Sequence, residues 1–297
     1  MCGCDGGARV GVDYSRPVED VEQVTDCILE WAGGDSRIAA VVLTGSRGRG
    51  QRVDRFSDLD VELIGPRPRD LAADDDWIAC VGQAMVVLPF DLDDLTSRLV
   101  VLPKGRKVDF TLWPEDRIAR MVESGLTDLY ERGYTVLMDK TGLTSALPRP
   151  SGRLPIPAMP TQREFSRLES EFWFEATQVA VYLIRADLWV VKFRENTMHQ
   201  CLLRMLEWRV QSDPAQRRFT WHIGHHMDEW LAAADYAMAG QVFTHFDAPD
   251  TIRGITAAMN LFERATASAA ANLSFIHRPE LAAAARSHVL SLLNPVS

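Results

Sequence analysis

The chain has 297 residues, 46% hydrophobic and 25% charged, a size and balance that suit one large or two ordinary globular domains. Its 41 acidic residues outnumber 32 basic ones, and the net charge of −9 argues against a broad nucleic-acid-binding face while suiting a cationic partner. Five dispersed cysteines, an odd number, read as reduced thiols of a cytoplasmic protein, with no secretory leader and no apolar run of about 18 residues to span a membrane.

In chain order, Val21, Val24, Ile28 and Trp31 have helical spacing, and Gly33-Gly34 closes that helix. Strands are expected at 38–43 and 58–64, a helix at 74–81, and short apolar runs at 84–89 and 99–103. Residues 107–113, KVDFTLW, alternate like a strand; a helix at 115–123 and a strand at 134–138 complete an α/β unit. LPRPSGRLPIPAMPTQ, 147–162, holds five prolines, so it suits neither helix nor sheet interior and reads as a domain junction. Beyond it the pattern is helical at 162–185, 187–209, 223–238, 249–275 and 278–293. The expected fold is α/β (α+β), with domains at 1–155 and 156–297: a mixed-sheet domain, then a helical bundle.

The chemistry concentrates in VVLTGSRGRGQRVDRFSDLDVELIG, residues 41–65. Strand side chains alternate, so Asp58, Asp60 and Glu62 share one face and Leu59, Val61 and Leu63 the other. Two carboxylates side by side raise each other's pKa unless a cation joins them, and a hard divalent ion such as Mg²⁺ wants such oxygen ligands. Asp109, turned away from Val108 and Phe110, adds a third carboxylate if its strand lies alongside. A platform of three suits two-metal phosphoryl chemistry. Gly45-Ser46 lets backbone N–H groups and a hydroxyl approach phosphate oxygens, and Arg47 and Arg49 can neutralise a polyphosphate. Neither a P-loop nor G-x-G-x-x-G is present. A lone D-x-D is usually a solvated surface, but the ordered GS, D-x-D and strand-borne Asp favour the functional reading.

These motifs resemble the polymerase-β-like nucleotidyltransferases, and more closely their aminoglycoside 6-adenylyltransferases (streptomycin adenylyltransferases). LTGSRGRG…DRFSDLDVELI, KVDFTLWP, VLMDKTG, REFSRLESEFW and LLRMLEW are similar to that family's landmarks, in the same order, over roughly residues 18–240. The resemblance implies a nucleotidyltransferase domain followed by a helical domain that binds the acceptor and walls a cleft. It also implies ATP, Mg²⁺, and transfer of AMP to an aminoglycoside hydroxyl with release of pyrophosphate, streptomycin being the expected drug. One departure is Gly224-His225-His226, near where that family carries a Gly-Lys pair.

On this reading Asp58, Asp60 and Asp109 bind metal, and Gly45, Ser46 and Arg47 hold the triphosphate. Lys192, after an apolar stretch, can reach a phosphate as a point charge, although an exposed lysine on a buried stem is the plainer account. Glu171 and Glu175, four apart on a helix, are a solvated face or a site for a cationic sugar, Glu171 being the candidate general base. Related two-domain nucleotidyltransferases are similar in placing a base on their helical domain. Zinc at His222, His225 and His226 lacks an H-E-x-x-H pattern and Cys2-Gly-Cys4 lacks a second ligand pair, so neither is expected to bind it. Tryptophans 173, 189, 208, 221 and 230 are expected mostly in the helix core. The expected partners are a nucleotide and a cationic small molecule, with neither nucleic acid nor membrane; the sequence leaves the oligomeric state open, a monomer being favoured. At this stage a lincosamide, another small molecule or a protein side chain remains an alternative acceptor, and a non-catalytic nucleotide-binding module an alternative role.

Overall fold

The computed structural model describes residues 20–93, 95–155, 157–215 and 218–293; Cys2 and Cys4 lie outside them. The chain divides into two compact units, the first ending at Pro155.

The first unit runs α1 (Val21–Gly34), β1 (Ala40–Leu43), a short α2 (Gly45–Gly48), β2 (Leu59–Gly65) and α3 (Pro68–Ala72). It continues through a 3₁₀ turn (Asp75–Val81), β3 (Val86–Asp91), β4 (Thr96–Val101) and β5 (Lys107–Pro114), then α4 (Asp116–Ser124), α5 (Asp128–Glu131) and β6 (Thr135–Asp139). The strands form one mixed sheet in the order β3-β4-β5-β2-β1-β6, parallel only between β2 and β5. Alternation along β1 and β2 explains the two layers. Val41, Leu43, Leu59, Val61 and Leu63 pack with Val24 and Ile28 of α1, while Ala40, Val42 and Ile64 pack with Ile118, Met121 and Tyr130.

The second unit is helical: α6 (Gln162–Ile184), α7 (Leu188–Gln211), short α8 (Met227–Trp230) and α9 (Ala233–Gly240), α10 (Ala248–Leu273) and α11 (Pro279–Leu293). A capping box starts α6 straight after the proline-rich segment: Thr161 Oγ1 accepts from Glu164 N at 3.2 Å, and Glu164 accepts from Thr161 N at 2.7 Å. Phe172 of α6 stacks on Phe262 of α10, centroids 3.7 Å apart, and Trp173 packs edge-on against both.

The expected fold class holds, with four local corrections. The helix expected at 223–238 starts only at 227, because Ile223 and His226 take left-handed φ of 50° and 52°, and it is two helices, because Leu231 and Ala232 are extended. The segment 75–81 is 3₁₀ rather than α. The apolar runs near 84–89 and 99–103 are the antiparallel β3 and β4, shifted by up to three residues. Trp189 is 79% exposed, whereas Trp173, Trp208 and Trp230 are buried as expected.

Candidate active site

The parallel register of β2 and β5 sets Asp60 directly beside Asp109. Asp58 stands one residue before β2, and carboxylate oxygens of all three lie within 4.8 Å of one another. Glu62, on the same face, is excluded from the group by depth. It is buried, accepts the Tyr130 hydroxyl at 2.7 Å, and burial raises its pKa.

The cation between the aspartates is Lys107. Its Nζ donates to Asp58 Oδ2 at 3.0 Å and Asp109 Oδ2 at 2.5 Å. Lys107 is two residues before Asp109 on one strand, hence on the same face, and that alternation was the signal that sequence reasoning passed over. Burial works against the ammonium, but hydrogen bonds to Asp109 and Asp58 outweigh it and hold its pKa up. Burial, then the charges of Asp58 and Asp109, raises Asp60 to about 6. Asp109 is raised by burial and restrained by Lys107.

Thr44 N donates to Asp60 O at 2.9 Å, tying the end of β1 to the start of β2. Gly45 follows with φ +63°, and a Cβ there would stand 1.7 Å from Asp60 Oδ2. Only glycine leaves room for that carboxylate. The Ser46 hydroxyl is half-buried and has no hydrogen-bond partner among the described residues. Arg49 has its charge beside Asp60, but burial and Arg132 lower its pKa.

Arg47 sits elsewhere than expected. Its Nε donates to Ser57 O and its Nη2 to Asp54 O, both at 3.0 Å, so the guanidinium holds the loop leading to Asp58. Arg106, buried, donates to the same Ser57 carbonyl at 2.9 Å. Lys192 is also committed: its three donors go to Thr244 Oγ1 at 2.5 Å, Thr251 Oγ1 at 2.8 Å and Glu195 Oε2 at 2.8 Å. It joins α7 to α10 and has no donor left for a phosphate. Glu175 is buried and takes Arg194 Nη1 on both oxygens, at 3.0 and 3.2 Å. Glu171, one turn earlier on α6, is half-buried with no ion pair or hydrogen bond among the described residues. The rings of His225 and His226 meet at a tilt of 43°, centroids 4.2 Å apart, and His226 lies 3.4 Å from Glu229.

The donor set suits a hard divalent cation. Asp109 Oδ1 is buried without a hydrogen-bond partner, which costs about 1–3 kcal/mol unless a ligand meets it. Three convergent carboxylates with one orphaned oxygen fit a metal better than they fit Lys107 alone.

The family model described as streptomycin adenylyltransferase matches residues 18–292. An aminoglycoside 6-adenylyltransferase of Bacillus subtilis (strain 168) is 28% identical over 217 residues, 68% of this chain and 72% of that protein. One from Campylobacter jejuni is 27% identical over 198 residues, 64% of this chain and 67% of the relative. The solved structure of an aminoglycoside 6-adenyltransferase from Bacillus subtilis aligns over 93% of this chain and all of its own, with 18% identity and a TM-score of 0.45.

Proposed function

Since the chain belongs to the streptomycin adenylyltransferase family and is a nucleotidyltransferase enzyme, we propose that it transfers AMP from ATP to an aminoglycoside hydroxyl, streptomycin first among candidates. The observation that carries this reading is the carboxylate group Asp58, Asp60 and Asp109 beside Gly45, with the Asp109 Oδ1 atom unpartnered. Asp58, Asp60 and Asp109 would hold Mg²⁺. When bound, the ion would supply charge that screens the triphosphate and the departing pyrophosphate.

The chain's own groups do the rest. Lys107 keeps Asp58 and Asp109 together before nucleotide arrives. The Gly45-Ser46 turn offers a backbone without a side chain and a free hydroxyl to the phosphates, while Arg47 and Arg106 fix the loop that aims Asp58. The acceptor oxygen attacks the α-phosphorus as the bond from phosphorus to the pyrophosphate oxygen breaks. The hydroxyl proton passes to a carboxylate, for which Glu171 is proposed because its oxygens carry no other partner. The relatives' names support an aminoglycoside as acceptor, and the −9 charge suits a cationic drug. The free thiols Cys27, Cys80 and Cys201 suit a cytoplasmic setting.

The test is turnover of purified protein with ATP, Mg²⁺ and a panel of aminoglycosides, following pyrophosphate release and drug mass. A drug heavier by one adenylyl group is expected, with streptomycin. Pyrophosphate release only with other hydroxyl acceptors would reassign the acceptor, and none with any acceptor would sink the proposal.

A further inference from the structure

The far end of the same sheet carries a cavity of about 680 Å³, where β5 ends and β4 begins. Leu112, Trp113 and Pro114 form its β5 side. These residues stand three to five positions along β5 from Asp109, roughly 10–17 Å at the usual strand rise. The volume is that of a small-molecule site.

In an acidic chain this cavity is cationic: Arg67, Arg69, Arg117 and Arg120 line it against Asp70 and Asp93. Their satisfaction is poor. Arg67 pairs with Asp70 at 3.0 Å and Arg120 with Asp116 at 2.5 Å, but both are exposed local pairs that solvent screens. Arg69 is exposed and has no ion pair or hydrogen bond among the described residues. Arg117 lies 3.8 Å over the Trp113 ring, reaches Glu62 only at 3.9 Å, and keeps a buried Nε without an acceptor. A methionine would cover Trp113 without that cost. Packing alone therefore does not account for the charge.

We propose that this cavity is a second anion site, separate from the carboxylate group, which takes a phosphate-bearing small molecule. Four arginines against two aspartates give the lining a cationic bias, which suits a phosphate monoester, close to −2 at neutral pH. Guanidinium groups meet phosphate oxygens two at a time, so Arg69, Arg117 and Arg120 take the phosphate. Leu95, Trp113 and Pro114, each half-buried, offer an apolar wall to the organic part. The site does not depend on the adenylyl-transfer reading.

Isothermal titration at low ionic strength with EDTA tests it, using phenyl phosphate and inorganic phosphate as probes. EDTA removes divalent metal from the carboxylate group, and a double variant separates binding in this cavity from any binding there. The intact protein should bind one phenyl phosphate per chain, more tightly than inorganic phosphate. The double substitution Arg69→Glu, Arg120→Glu, at two exposed positions where folding is not at stake, should weaken binding at least tenfold and leave adenylyl transfer unchanged. Absence of binding at millimolar phenyl phosphate, or equal affinity in the double variant, would overturn the site. Equal affinity for the two probes would overturn the assignment of an organic phosphate.

Discussion

A methyl group added at position 45 meets two obstacles at once: the left-handed φ of +63° and the Asp60 carboxylate 1.7 Å from the new atom. Gly45→Ala should therefore lose about 1 kcal/mol to backbone strain alone and displace a metal ligand, so turnover should fall by at least about 10²-fold. Gly34→Ala, at the end of α1 where nothing lies within 4 Å, is the control and should cost neither turnover nor stability. Thermal melts and steady-state rates of the pair check this. Asp60 itself has a pH signature. An acid whose pKa is raised on folding favours the folded state while protonated, below its unfolded pKa of about 4, and that contribution is lost as pH rises through the folded value of about 6. Metal-free protein should thus be less stable above pH 6 than Asp60→Asn, by about 2–3 kcal/mol, with the gap closing near pH 4. Melting temperatures in EDTA from pH 4 to 8 measure the gap. A constant difference across that range rejects the assignment, and the variant should lack turnover throughout.

Strand alternation is the element-scale pattern that made most of the site legible. It put Asp58, Asp60 and Asp109 on one face, and the parallel pairing of β2 with β5 brought them together. Long-range donors left no such trace. Arg47 bonds carbonyls seven and ten residues away, and Lys192 bonds threonines more than fifty away, so neither target has a periodic signal. The late start of the helix expected from 223 was illegible for a related reason: non-glycine residues, Ile223 and His226, hold the left-handed positions there. Ala186 does the same between α6 and α7. It has φ +56°, and Asp187 N donates to Tyr182 O, the long hydrogen bond of a helix C-terminal turn that usually has glycine at its left-handed position. Ala186→Gly should accordingly stabilise the protein by roughly 0.5–1 kcal/mol without touching catalysis. Chemical denaturation of the two proteins reads the difference, and a lower midpoint for the glycine variant contradicts it.

At the scale of the whole molecule, each unit buries its own core, and the carboxylates, with the Gly45-Ser46 turn, all belong to the first. A sugar hydroxyl ionises far above neutrality, so its proton needs an acceptor. Asp58, Asp60 and Asp109 are poor candidates once they share a divalent cation, because its charge lowers their basicity. The helical unit offers two glutamates on one face of α6. Glu175 is buried and spends both oxygens on Arg194, whereas Glu171 spends neither. Both stand near Cys201, whose thiol burial and their charges push up to about 12. Glu171→Gln keeps the volume and removes the base, so kcat should drop by roughly 10²–10⁴-fold while Mg²⁺-ATP binding stays unchanged. Glu175→Gln should instead lower stability, since it leaves Arg194 without its buried partner. Single-turnover rates, nucleotide titrations and melts on both variants separate the two roles. An unchanged kcat in Glu171→Gln would remove Glu171 as the base.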